Sequence, residues 1–261
     1  MIRTLLIIAG AALVLSLVTL GGAAALGGND MARHGWSWTI TDTDGDNIHF
    51  ERIKGGGTDA MGPTVSRTLD WTGGDSLVID DSLNVDYVQG AVAGVAITGP
   101  KALVDRVQLE GSRLSIGDGD ERVVFGWDSG HFRAQSERDE LRIVVTAPAV
   151  SRFELNGSQR LNISGYDQPA LSIAVSGSGE VEATGRTEAL TLTIDGSGEA
   201  DLASLATTDA TVSISGSGDA VVAPTGRADL NISGSGDIEV ASRPATVNQN
   251  ISGSGDVDLR G

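Results

Sequence analysis

The chain contains no cysteine, which excludes disulfides and thiolate metal centres. Aromatic residues make up only 4% of its 261 residues, few for a large α/β enzyme core. Lysine occurs only at Lys54 and Lys101, and histidine only at His34, His49 and His131. The scarcity of cations leaves a formal net charge of -17 and a pI near 4.4. Such a surface repels nucleic-acid phosphates and anionic headgroups. Nucleic acid is therefore not expected as a partner, and membrane contact is expected only through the N-terminal segment. What the chain does have is glycine, 36 residues of it, alongside many Ser, Thr and Asp. That mixture predicts short strands joined by tight turns.

Residues 1–26 read as an export segment. Arg3 gives a positive start, Leu5 to Leu20 is almost wholly apolar, and Gly21-Gly-Ala-Ala-Ala25 offers a small-residue cleavage site. Leu5 to Leu26 is also long enough to span a bilayer if it is retained. Either way the rest of the chain is carried across the inner membrane, to the periplasm or cell envelope.

Residues 27–67 read as a hairpin and a Gly-rich linker. Trp36-Ser-Trp-Thr-Ile40 alternates, Asp44-Gly45 turns, and Ile48-His-Phe50 returns. Asp42, Asp44 and Asp46 suggest a calcium loop, but Asn47 and Ile53 stand where such a loop needs Gly and Glu. Residues 68–150 read as an irregular run of short strands, at 77–79, 85–87, 92–97, 107–109, 114–116 and 141–145. One short helix is expected over Pro100 to Arg106.

Residues 151–261 carry a repeat. The phrase reads Ser176-Gly-Ser-Gly-Glu180, Asp195-Gly-Ser-Gly-Glu199, Ser215-Gly-Ser-Gly-Asp219, Ser233-Gly-Ser-Gly-Asp237 and Ser252-Gly-Ser-Gly-Asp256. A degenerate copy is Asn156-Gly-Ser-Gln159, and the steps are 20, 19, 20, 18 and 19 residues. Apolar residues alternate on both sides, as in Val212, Ile214, Ala220 and Val222. Period two gives one inward face. The glycine pairs, Gly177 and Gly179, Gly196 and Gly198, Gly216 and Gly218, Gly234 and Gly236, Gly253 and Gly255, share the inward parity and are read as bends. One unit cannot bury its apolar face alone, so the units stack. The expected fold is all-β, a right-handed parallel β-helix (β-solenoid) with about 18–20 residues per coil. The period is too short for a propeller blade.

Stacking places Ser178, Ser197, Ser217, Ser235 and Ser254 in one outward ladder. Glu180, Glu199, Asp219, Asp237 and Asp256 form a second. The acids are the candidate cation ligands, with calcium the candidate ion, although the phrase departs from the calcium-binding nonapeptide. A ladder of solvated carboxylates is the plainer reading. No catalytic residue and no cofactor are assigned. No histidine lies in the repeat, and neither a nucleophile elbow nor a phosphate loop fits a phrase followed by a strand.

The serial Leu/Ile-x-Ile-Ser-Gly-Ser-Gly-Asp-Val phrase resembles the head GIN domain, the putative auto-transporter adhesin head. Leu77-Val-Ile79, Val85-Asp-Tyr-Val-Gln-Gly90, Ile97-Thr-Gly-Pro-Lys101 and Leu141-Arg-Ile-Val-Val145 resemble its N-terminal strands. The resemblance implies a β-helical fold in an exported bacterial protein and carries over no catalytic residue. The expected function is a non-enzymatic envelope module for adhesion, scaffolding or interaction, binding an envelope protein or a glycan. The alternatives are a lyase-like polysaccharide enzyme, with Arg142, Arg152 or Arg160 as base in a lengthwise groove, and a calcium-stiffened rod. Only Asp258-Leu-Arg-Gly261 follows the last phrase. Self-stacking or a partner is therefore expected at the C-terminal coil.

Overall fold

The computed structural model describes residues 36–43, 47–53, 63–119, 121–128 and 131–260. The apolar segment 5–26, the turn at 44–46 and the linker at 54–62 lie outside the described residues. No helix among the described residues is long and apolar enough to cross a membrane. The chain divides into two units, Met1–Met61 with Asp120–Ser136, and Gly62–Gly119 with Glu137–Gly261.

The first unit holds one antiparallel sheet. Strands β1 (Trp36–Thr43) and β2 (Asn47–Ile53) form the expected hairpin, with Ile40 opposite Phe50. Two strands that the sequence reading leaves unassigned join it, β9 (Glu121–Asp128) and β10 (His131–Ser136), in the order β10-β9-β1-β2. They come from residues the reading placed within the irregular solenoid.

The second unit is a parallel β-solenoid. Its first elements are β3 (Thr64–Leu69), β4 (Ser76–Asp80), β5 (Asn84–Gln89) and β6 (Gly94–Pro100). A one-turn helix α1 (Lys101–Val104) follows Pro100, then β7 (Val107–Glu110) and β8 (Arg113–Ile116). After the excursion come β11 (Arg142–Ala147) and β12 (Arg152–Gly157). Three long strands bend around the regular coils: β13 (Arg160–Gly177), β14 (Glu180–Gly196) and β15 (Glu199–Gly216). Shorter ones close the stack: β16 (Asp219–Pro224), β17 (Arg227–Gly234), β18 (Ile238–Val240), β19 (Thr246–Gly253) and β20 (Val257–Leu259).

Each coil contributes one segment to each of two faces. On the face before the glycine turn, β4 pairs with β12, β12 with 172–177, and so on through β17 to β19. On the face after it, β5 pairs with 160–164, then β14, β15, β16, β18 and β20 follow. Equivalent apolar residues therefore stack: Ile173, Leu192, Val212 and Leu230 on the first face, Val181, Ala200, Ala220 and Ile238 on the second. All eight are buried. Each large aliphatic one contributes about 1.5–3 kcal/mol of burial.

At one end the stack is covered. Strand β8 adds to β4, and β11 adds to β5 and pairs antiparallel with β6. At the other end β19 and β20 are largely exposed, with Ile251 and Leu259 in solvent at 38% and 52%.

Candidate functional site: a groove across the coils and two side-chain ladders

The glycine turn is a register device. At its first glycine, positions 157, 177, 196, 216, 234 and 253, φ lies between 117° and 138°, where an L side chain is strained. The next residue is a serine whose N–H donates to the previous coil's first-glycine carbonyl, as in Ser197 to Gly177 at 2.7 Å. That bond brings each carbonyl oxygen beneath the following coil's glycine. The second glycines, 179, 198, 218 and 236, are buried, and a Cβ there would meet the coil before or the interior side chains. The first glycines are partly or fully exposed, so only the second of each pair faces the core. The chain turns at the first, which interrupts the strict alternation.

The five serines are exposed, and so are all the acids except the half-buried Glu180. Equivalent acids are in register, Glu180 opposite Glu199 and Glu199 opposite Asp219. Two groups of donors offset their repulsion. Arg160, which stands at the acid position in the degenerate copy, pairs with Glu180. At the two Asp–Asp steps a carboxylate accepts the next coil's backbone N–H: Asp237 N–H donates to Asp219 Oδ1 at 2.9 Å and Asp256 N–H to Asp237 Oδ1 at 2.8 Å. Among the described residues no three His, Asp or Glu side chains converge to hold a metal ion.

This geometry predicts opposite outcomes for two substitutions. Asp237→Asn keeps the Oδ1 acceptor and removes a charge between two like charges, so stability at neutral pH should be unchanged or raised. Asp237→Ala leaves the Asp256 N–H without its partner and should cost up to about 1 kcal/mol. Urea unfolding of the two variants checks this.

A groove of about 560 Å³ crosses four coils at the corner opposite the glycine turn. Register stacks its lining: Asp167, Arg186 and Ala206 in one row, Gln168, Thr187 and Thr207 in the next. Glu188, Thr208 and Thr225 also line it. Arg186 grips Asp167 with two bonds, Nε to Oδ1 and Nη2 to Oδ2, both 2.8 Å. The hydrogen bond from Arg186 holds the Asp167 carboxyl below the usual carboxylate range, and its counterpart raises Arg186. The Asp167 backbone is pinned from the other side. Its N–H donates to Gln89 Oε1 at 2.8 Å and its carbonyl accepts from Gln89 Nε2 at 3.2 Å. The Thr187 and Thr207 side chains are buried and bonded to nearby carbonyls, so they shape the floor.

None of these groove residues stands out in the sequence, because their rows are built from different residue types. The one periodic signal is Thr187 and Thr207, 20 residues apart. Arg142, Arg152 and Arg160 are not in the groove lining; Arg142 pairs with Asp86 and Arg160 with Glu180.

The family profile described as "Putative auto-transporter adhesin, head GIN domain" matches residues 75–244. The solved structure of a putative adhesin from Bacteroides fragilis shares the fold at 17% identity and a TM-score of 0.54, covering 75% of this chain and 96% of that one. A putative adhesin from Parabacteroides distasonis is 19% identical with a TM-score of 0.45, covering 76% of this chain and 97% of that one. Among proteins with curated descriptions, none matches.

Proposed function

We propose, from the premise that this chain belongs to the head GIN family of putative auto-transporter adhesins, that it is an exported envelope protein that binds a glycan in the groove across its coils. The observation that carries this reading is the groove itself. It is open along the solenoid axis and lined by hydroxyl, amide, carboxylate and guanidinium groups. Coils repeat about every 4.8 Å. A linear polymer of hydroxylated units lying along the axis meets polar groups at each step. The segment 5–26 supplies the route across the inner membrane.

A lyase-like reading has one observation in its favour, since the groove holds Arg186 with Asp167 and Glu188. Proton abstraction needs a base that gives up its own proton readily. Asp167 does the reverse to Arg186, raising its pKa. That supports binding over elimination.

Co-sedimentation of the full chain with purified peptidoglycan sacculi tests the proposal. Retention that falls at least tenfold in Arg186→Ala is the expected result. Absence of retention on sacculi overturns the reading, and new ultraviolet absorbance from an unsaturated sugar product favours the lyase. The pH dependence follows from Asp167. Its folded pKa is depressed, so the ion pair is intact above the unfolded value of about 4 and is lost as pH falls through the lower folded value. Retention should be flat from neutral pH down to about 5 and decline only below about 4.

A further inference from the structure

The last coil ends the stack on open strands. Strand β19 pairs with β17 and β20 with β18, and neither has a further strand partner among the described residues. Such edges are ordinarily blunted by charge or proline. Strand β19 reads Thr246-Val-Asn-Gln-Asn-Ile-Ser-Gly253, with neither, in a chain whose net charge is -17.

The backbone fixes what this edge offers. Thr246 N–H donates to the Gly226 carbonyl and Ser254 N–H to the Gly234 carbonyl. In a parallel ladder each residue turns its N–H and C=O to the same side, and successive residues alternate sides. The even residues of β19 therefore bond to β17. Val247, Gln249 and Ile251 turn their backbone groups to the open side. The same three continue interior rows: Val247 follows Ala228, Ile251 follows Ile232, and Gln249 follows Ile173, Leu192, Val212 and Leu230. An exposed glutamine thus ends an aliphatic row.

The strand is matched about that glutamine. Asn248 and Asn250 flank it, then Val247 and Ile251, then Thr246 and Ser252. Two identical strands paired antiparallel about a two-fold axis set each residue before the axis against its counterpart after it. With the axis at Gln249, amide meets amide, β-branched side chain meets β-branched side chain, and hydroxyl meets hydroxyl. The open backbone groups fit the same axis. Gln249 exchanges both bonds with its copy and Val247 with Ile251, about six backbone hydrogen bonds in all. An axis at Asn248 or Asn250 would set Gln249 against Val247 or Ile251. The equivalent pairing by β17 would set Arg227 against Ser233 and Ala228 against Ile232.

We propose that β19 pairs antiparallel with the β19 of a second copy of this chain, about a two-fold axis at Gln249, joining two solenoids end to end. Charge and symmetry select the second copy. Two chains at -17 repel one another elsewhere, and an uncharged, self-matched edge is where identical surfaces can meet. On the other face β20 brings Val257 and Leu259 with one acid, Asp258, which Arg260 Nε holds at 2.7 Å. The opposite end of the solenoid is covered by β8 and β11, so the contact closes on a dimer and does not propagate. One strand pair is a small interface, and association in the micromolar range is expected. The inference does not depend on the groove.

Disulfide trapping tests the contact residue by residue, because the chain has no cysteine of its own. Opposed residues of a hydrogen-bonded antiparallel pair have Cα atoms about 5.5 Å apart, within disulfide reach. Full-length Gln249→Cys under mild oxidation at micromolar concentration should form covalent dimer roughly tenfold faster than Ser217→Cys, which is exposed on the side of the stack. Val247→Cys and Ile251→Cys should not cross-link singly, since each lies about 13 Å along the strand from its own copy. Mixed together, the two should cross-link. Equal rates for Gln249→Cys and Ser217→Cys overturn the proposal. So does cross-linking of Val247→Cys alone, which needs a different axis.

Discussion

Gly234→Ala should cost more than about 4 kcal/mol or prevent the last coils from forming, whereas Gly157→Ala should cost only about 1–2 kcal/mol. Both residues occupy the first position of the glycine turn, and both have nearly the same φ, 138° and 137°. The conformational penalty of a side chain at positive φ is therefore common to the two, about 1–3 kcal/mol. The difference lies in the coil beneath. A Cβ on Gly234 would sit 2.0 Å from the Gly216 carbonyl oxygen, which is backbone held by the Ser235 N–H and cannot move alone. A Cβ on Gly157 would meet no backbone atom closer than Asp81 O at 3.6 Å; its nearest neighbour is the side-chain amide of the buried Gln159, at 3.1 Å, which needs to give by only a few tenths of an ångström. Between them the approach tightens coil by coil, 2.6 Å at Gly177, 2.4 Å at Gly196 and 2.3 Å at Gly216. Gly253→Ala has the same 2.0 Å contact as Gly234 but sits on the exposed last coil, which can fray at little cost. Urea unfolding of the three alanine variants, with hydrogen exchange over 246–259, reads the series. Equal costs at Gly157 and Gly234 would show that φ alone dictates the glycine.

The same gradient explains which part of the fold was legible in the sequence. Where the previous coil also has a glycine turn, glycine is obligatory and the phrase repeats. Where it does not, the phrase degenerates. The coil under Gly157 turns through Asp80-Asp81-Ser82-Leu83, with Asp81 at φ 63° in the positive-φ position and Leu83 buried where the second glycine would be. Pairing of Asp80 with Asn156 shows that this is a further copy of the turn. Its sequence conceals that, because no neighbouring backbone demanded glycine. Side chains hold it instead. Burial would raise the Asp80 carboxyl, but hydrogen bonds from Asn156, at 2.9 Å, and from Arg113 outweigh it and bring the pKa below the ordinary value. The buried rows were readable from period two because burial imposes one residue class at each position. The groove was not. Its rows mix Asp with Arg and Gln with Thr, since an exposed row needs only compatible partners across 4.8 Å, not identical ones. Strands β9 and β10 were missed for a different reason. Their apolar residues were visible, but they pair with a hairpin some 80 residues earlier, and sequence adjacency pointed to the solenoid.

Phe153→Ala should destabilise the solenoid by about 3–5 kcal/mol, because its ring joins the covered end to the regular coils. Phe153 is on β12, opposite Leu77 on one side and Ile173 on the other. Its edge meets Tyr87 of the other face, with centroids 5.0 Å apart and planes at 71°. Both rings are fully buried, so an alanine leaves a cavity walled by two sheets that cannot close on it. Tyr87→Phe is the milder partner. It keeps the ring contact and loses the hydroxyl bond to the Ala147 carbonyl at 2.9 Å, a change of about 1–2 kcal/mol. Combining Phe153→Ala with Tyr87→Ala should reveal a coupling of about 0.5–1.5 kcal/mol, the ring-to-ring contribution. Alkali supplies a second readout, since the only two tyrosines are Tyr87 and Tyr166 and burial raises both. A raised folded pKa contributes stability below the unfolded value of about 10 and loses it as pH rises through the folded value. Tyrosinate absorbance in the native protein should therefore stay absent at pH about 10 and appear only with loss of the β-sheet circular dichroism. In Phe153→Ala that joint transition should move to lower pH. Tyrosinate appearing before the sheet signal falls would mean that water reaches this junction in the folded state, and that the interior there is not closed by the two rings.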